Sequence, residues 1–138
     1  FKTFSESKLF LDPGFSVIDA VIVKKGEKDY VLVLKDNTRP ERNIKVAFAD
    51  NPMGPWKNIS KPFSDKFTEG PSVVKLKNEW LIYFDSYQKK IYEAVRTTDF
   101  KEFRNVTTEV QVPEGHKHGT IVPVKKKFVR HLYKTTAH

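Results

Sequence analysis

The sequence predicts an all-β fold made of consecutive four-stranded antiparallel sheets. Three observations carry that prediction. Short β-rich runs alternate with polar turns, no stretch sustains a helical period, and the chain echoes itself about every fifty residues.

The elements follow in order. Residues 1–15 read as the outer strand of a preceding sheet, with Phe4 as its aromatic anchor. Residues 17–24 are apolar on both alternating faces, which suits a strand covered on both sides. The polar turn Lys25-Gly26-Glu27-Lys28 leads into a second strand at 30–35, and a third is predicted at 44–49. Trp56 anchors the fourth position. The next unit repeats this plan, with strands at 71–76, 80–85 and 91–97, turns at Lys77-Asn78 and at 86–90, and Phe103 as the anchor. Two further strands are predicted at 119–125 and 128–133.

The repeats align residue by residue. Ile18-Asp19-Ala20-Val21-Ile22 is echoed fifty positions on by Thr68-Glu69-Gly70-Pro71-Ser72, and forty-nine further on by Lys117-His118-Gly119-Thr120. Phe100-Lys101-Glu102-Phe103 nearly repeats Phe1-Lys2-Thr3-Phe4. A period near fifty with four short strands per unit is the signature of β-propeller blades, each of which needs neighbours to cover its faces. The predicted division is residues 1–15 from a preceding blade, blades at 16–65 and 66–113, and the start of another at 114–138. That is too few blades to close a ring, so the chain is expected to be part of a larger propeller, lying beside missing chain or a second copy of itself.

Bulk composition narrows the classes. Apolar residues make up 38% and aromatics 13% of 138 residues, enough for a packed core. There is no cysteine, which excludes disulfides, thiolate metal sites and a catalytic thiol. The net charge of +8 is spread through turns, with one dense run at Lys125-Lys126-Lys127, and reads as a solvated surface. No nucleic-acid motif or aromatic platform accompanies it, so no nucleic-acid partner is expected. No apolar run is long enough to span a membrane, and no signal peptide is present. The opening Phe1-Lys2-Thr3-Phe4, without Met, has the look of a processed or truncated piece.

Three ionisable residues, Asp19, Glu69 and His118, sit at or near the start of the first strand in successive units. First strands line the central channel of a propeller, so these groups are expected to converge there. Asp19 interrupts an apolar run, where a carboxylate costs several kcal/mol unless paired or hydrogen-bonded. Its alternative role is a structural aspartate bonding backbone amides. Glu69 precedes Gly70-Pro71, a pair that fixes it at a strand mouth; its alternative is a solvated loop residue. Paired carboxylates are what glycosidic bond cleavage requires. A general acid must hold its proton near neutral pH, and partial burial beside an ionised neighbour favours that. On this reading Asp19 stays ionised and Glu69 keeps the proton. His118 is either a metal ligand acting through water or a hydrogen-bonded structural histidine. Phe15, Phe84 and Tyr87 are candidates for stacking on sugar rings, and Arg96 for binding hydroxyls.

Taken in order and spacing, Ile18-Asp19-Ala20, Asn51-Pro52-Met53-Gly54-Pro55-Trp56, Glu69-Gly70-Pro71, Trp80-Leu81-Ile82-Tyr83-Phe84-Asp85 and His118-Gly119-Thr120 resemble family 43 of the glycoside hydrolases. These are five-bladed β-propellers that include β-xylosidases, α-L-arabinofuranosidases and arabinan-degrading enzymes. The resemblance runs through nearly the whole chain. It implies an inverting enzyme with Glu69 as general acid, Asp19 as the carboxylate that tunes and orients it, and His118 as a channel histidine, often beside calcium or water. The family's general base belongs to a first blade that nothing here matches, so the 138 residues alone are expected to be inactive. No cofactor is required on this reading, and a structural calcium in the channel is the candidate ion. The implied substrate is a plant-type polysaccharide or oligosaccharide containing arabinose or xylose, and the expected setting is secreted or periplasmic. A sugar-binding propeller without catalysis is the alternative from another class. Fructan-cleaving five-bladed enzymes are a third reading, but their proton donor typically precedes Cys-Pro, whereas Glu69 precedes Gly70-Pro71.

Overall fold

A computed structural model describes residues 2–135. Strands β1 (Val17–Gly26), β2 (Asp29–Asp36) and β3 (Asn43–Ala49) form one antiparallel sheet, in that order. Strands β4 (Thr68–Leu76), β5 (Glu79–Ser86), β6 (Ile91–Thr97) and β7 (Arg104–Asn105) form the next. These are two successive blades of a partial all-β propeller. The fourth position of the first blade carries a single bridge, Phe48 to Lys57. Beyond it, the outer edge of β3 is satisfied by Ser60 Oγ and Ser64 Oγ, which accept from the amides of Val46 (3.0 Å) and Ile44 (2.9 Å).

Period-two alternation decides which residues meet. Val31 and Val33 of β2 face the second sheet together with Ile44 and Val46, and meet Ile82, Phe84, Val95 and Phe100. All eight lie in one shared core, at about 1.5–3 kcal/mol for each large side chain buried. The opposite face of the first sheet presents Leu32, Leu34, Ala47 and Trp56, covered by Phe10, Leu11 and Phe15. Val74, Leu81, Ala94 and Val106 line the far face of the second sheet, against Val110 and Ile121. Both faces of each sheet are therefore apolar, as the continuous apolar runs of β2 and β5 require. At the rim, Lys89 Nζ bridges Asp65 (2.8 Å) and Glu93 (2.6 Å).

Three expected strands do not form. Residues 119–125 run without a ladder, tied instead by two side chains: Ser72 Oγ accepts from Ile121 N at 2.9 Å and Tyr92 Oη from Gly119 N at 2.5 Å. Pro123 also lacks the amide a ladder needs. The predicted strand at 128–133 lies instead within helix α1 (Lys126–Thr135). Phe128, Val129, Leu132 and Tyr133 recur at helical spacing, and that signal outweighs their β propensity. Residues 2–13 contain no strand, although Phe10 packs on Trp56 at 5.7 Å. Phe1, with which one of the echoes begins, and residues 136–138 lie outside the described residues. Among the described residues, no helix is long and apolar enough to cross a membrane.

Candidate active site

Both innermost strands carry a bulge at the same place. Along β1, Ile18 pairs with Lys35 and the next pair is Val21 with Val33, so Asp19 and Ala20 stand opposite one residue. Along β4, Glu69 pairs with Asp85 and the next pair is Ser72 with Tyr83, so Gly70 and Pro71 do the same. The residue after the last regular pair has positive φ in each case, 51° at Asp19 and 57° at Gly70. His118 shows the same sign, at 43°. The register therefore corrects the sequence alignment by one position: Asp19 corresponds to Gly70, and Glu69 corresponds to Ile18.

The offset lets the two blades reach each other. Gly70 N donates to Asp19 Oδ2 at 3.1 Å, which anchors that carboxylate on the bulge beside Glu69. His118 Nε2 lies 3.8 Å from Asp19 Oδ2 and 3.7 Å from Glu69 Oε1. The three groups thus gather within 4.8 Å, as their positions in the repeats predict. A shallow cleft of about 190 Å³, lined by Asp19, Gly70, Pro71, His118 and Thr120, opens over Asp19 and His118, with Glu69 beside it. Gly70 makes the gathering possible, because a Cβ there would sit 2.7 Å from His118 Cδ2.

Two site residues were not anticipated from the sequence. Lys35, with no side-chain exposure, donates to Glu69 Oε2 at 2.6 Å. Asp85, 3% exposed, directs Oδ2 toward His118 Nδ1 at 3.9 Å, and that oxygen accepts no hydrogen bond among the described residues. Burial pushes the Asp85 carboxyl above its usual range; His118 offsets part of this, and the Glu69 charge adds to it. Both residues close an apolar run at the channel end of a central strand. Counting back from the Lys77-Asn78 turn without a bulge would put Ser86 opposite Glu69; the bulge puts Asp85 there.

The other candidates fall elsewhere. Phe84, 1% exposed, is locked in the inter-sheet core with Phe63 edge-on at 6.2 Å, and no sugar reaches it. Arg96 pairs across β5 with Leu81, four residues from Asp85, or about 13 Å along the strand. It serves a surface cluster with Glu79 (3.3 Å) and Glu109 (3.5 Å). Phe15 packs on the far face of the first sheet, under the Lys45 ammonium at 4.4 Å. Tyr87 stands behind the site, its ring flanked by Lys35 Nζ (5.3 Å) and Arg42 Cζ (5.7 Å).

Calcium is the ion the channel position would imply. That ion takes six to eight oxygens. Here one donor is an imidazole nitrogen, and one carboxylate is already engaged by an ammonium. The trio does not fit a directly ligated calcium. What it offers is a carboxyl pair with a histidine beside it, open to solvent on one side, which is the equipment of proton transfer. No curated protein matches the chain. The model of a family related to glycoside hydrolase family 43, described as a probable glycosyl hydrolase domain, matches residues 1–129, and the chain belongs to that family.

Proposed function

We propose that this segment supplies the acid half of an inverting glycosidase site, acting on saccharides that contain arabinose or xylose. Glu69 gives its proton to the glycosidic oxygen as the bond from that oxygen to the sugar breaks. Asp19, its Oδ2 held by Gly70 N, orients the donor. A water molecule attacks from the opposite face, and its proton goes to a general base on chain outside these residues. The observation that supports this most is the convergence of two carboxylates from successive sheets, with Asp19 Oδ2 bonded to the amide next to Glu69. In the full-length protein, Glu69→Gln is expected to lower hydrolysis of pentosides with poor leaving groups by about 10²–10⁴-fold. Retention of that activity would reassign the acid, and no turnover of any pentoside by the wild type would remove the hydrolase reading.

One observation favours a second reading. The Lys35 ammonium on Glu69 is also what a fixed-charge binding residue would have. A sugar-binding propeller without catalysis would show pentose-oligosaccharide binding by calorimetry and no product release over long incubation.

A further inference from the structure

We propose that Lys35 is the positioning residue of Glu69, holding Oε2 so that Oε1 alone carries the proton to the sugar. The inference rests on Glu69 being the general acid. Lys35 rises through the inter-sheet core on the face of Val31 and Val33, and its Nζ meets Glu69 Oε2 at 2.6 Å. Its side chain has no exposed surface, so it cannot touch a substrate itself. An ammonium has three N–H donors and no lone pair. Oε2 must therefore accept, and a proton placed on Oε2 would point at a donor. Oε1 lies toward His118, 3.7 Å from its Nε2, and that imidazole lines the cleft.

The pair also follows from the register. Lys35 faces Ile18 in the first sheet, and Asp85 faces Glu69 at the matching place in the second. The second sheet thus offers its own glutamate a carboxylate as cross-strand neighbour, which cannot donate when ionised. The clamp has to come from the adjacent sheet, and Lys35 supplies it. The Tyr87 ring face lies 5.3 Å from Nζ and adds a cation–π contact to the ammonium.

Two measurements test this. In the chain itself, the Lys35 ammonium is expected to give a slowly exchanging ¹⁵Nζ–H signal that disappears in Glu69→Gln. The double variant Lys35→Met/Glu69→Gln is expected to melt above Glu69→Gln alone, since that single variant leaves the buried ammonium without its partner. In the full-length protein, Lys35→Met is expected to lower kcat for unactivated pentosides by about tenfold or more. Hydrolysis of 2,4-dinitrophenyl pentosides, whose leaving group needs no proton, should change little, with KM unmoved for both. Equal losses on the two substrates would reduce Lys35 to a structural role and overturn the proposal, as would no loss on either. A wild type inert toward every pentoside would remove the proton-carrier assignment, while the ammonium signal and its dependence on Glu69 would still establish the clamp.

Discussion

Asp85 presents the sharpest electrostatic problem at the scale of single residues. Its carboxyl is buried beside Glu69, and one oxygen faces only the ring of His118 at 3.9 Å. Burial raises its pKa above the ordinary 3.8, so the folded state binds the proton more tightly than the unfolded chain does. The penalty is absent below the unfolded value and builds as pH rises through the folded one. Asp85→Asn is therefore expected to gain stability relative to the wild type as pH rises above the ordinary carboxylate range, read from thermal melts at successive pH values. A relative loss on raising the pH would contradict the assignment. None of this was legible in Trp80-Leu81-Ile82-Tyr83-Phe84-Asp85, because the position of Asp85 opposite Glu69 depends on a bulge at Gly70-Pro71 on the partner strand.

Elements carry the next level of control. Six strands were readable from alternation and turns, and β1 to β6 fall where those signals put them. The bulges were not readable. Val-Ile-Asp-Ala-Val looks like an unbroken strand, and only the pairings show that Asp19 and Ala20 share one partner. That is why Asp19 and Glu69 seemed equivalent when they are one position apart. Gly70 tests the element directly. Its φ of 57° costs a side chain about 1–2 kcal/mol, and a Cβ would press on His118. Gly70→Ala is expected to lower the urea midpoint accordingly and to shift the His118 ring resonances. The unpredicted helix α1 has a different cause. Its apolar spacing was present in the sequence, but the repeat suggested a strand there.

The whole molecule is held by one core that belongs to neither sheet alone. Phe84 sits in it at 1% exposure, between Phe63 and the valines of β2 and β3. Phe84→Ala is expected to cost about 3–5 kcal/mol in chemical denaturation, and both sheets should unfold in a single transition. Two separable transitions would mean that the sheets are independent units. The propeller plan was legible because each blade's two-sided apolar pattern can be satisfied only by neighbours. The site was half legible: its carboxylates and histidine could be found by superposing the repeats, but the lysine that crosses from one sheet to the next could not.

The one-position offset between the bulges has a further implication, for how such a protein can be built. A chain assembled from faithful copies of a single unit could not make this acid pair. Copying residues 18 and 19 onto 69 and 70 would put isoleucine where Glu69 stands, and a side chain where only 2.7 Å separates a Cβ from the imidazole. Tandem duplication can supply the scaffold, but the chemistry begins only where the copies stop being alike.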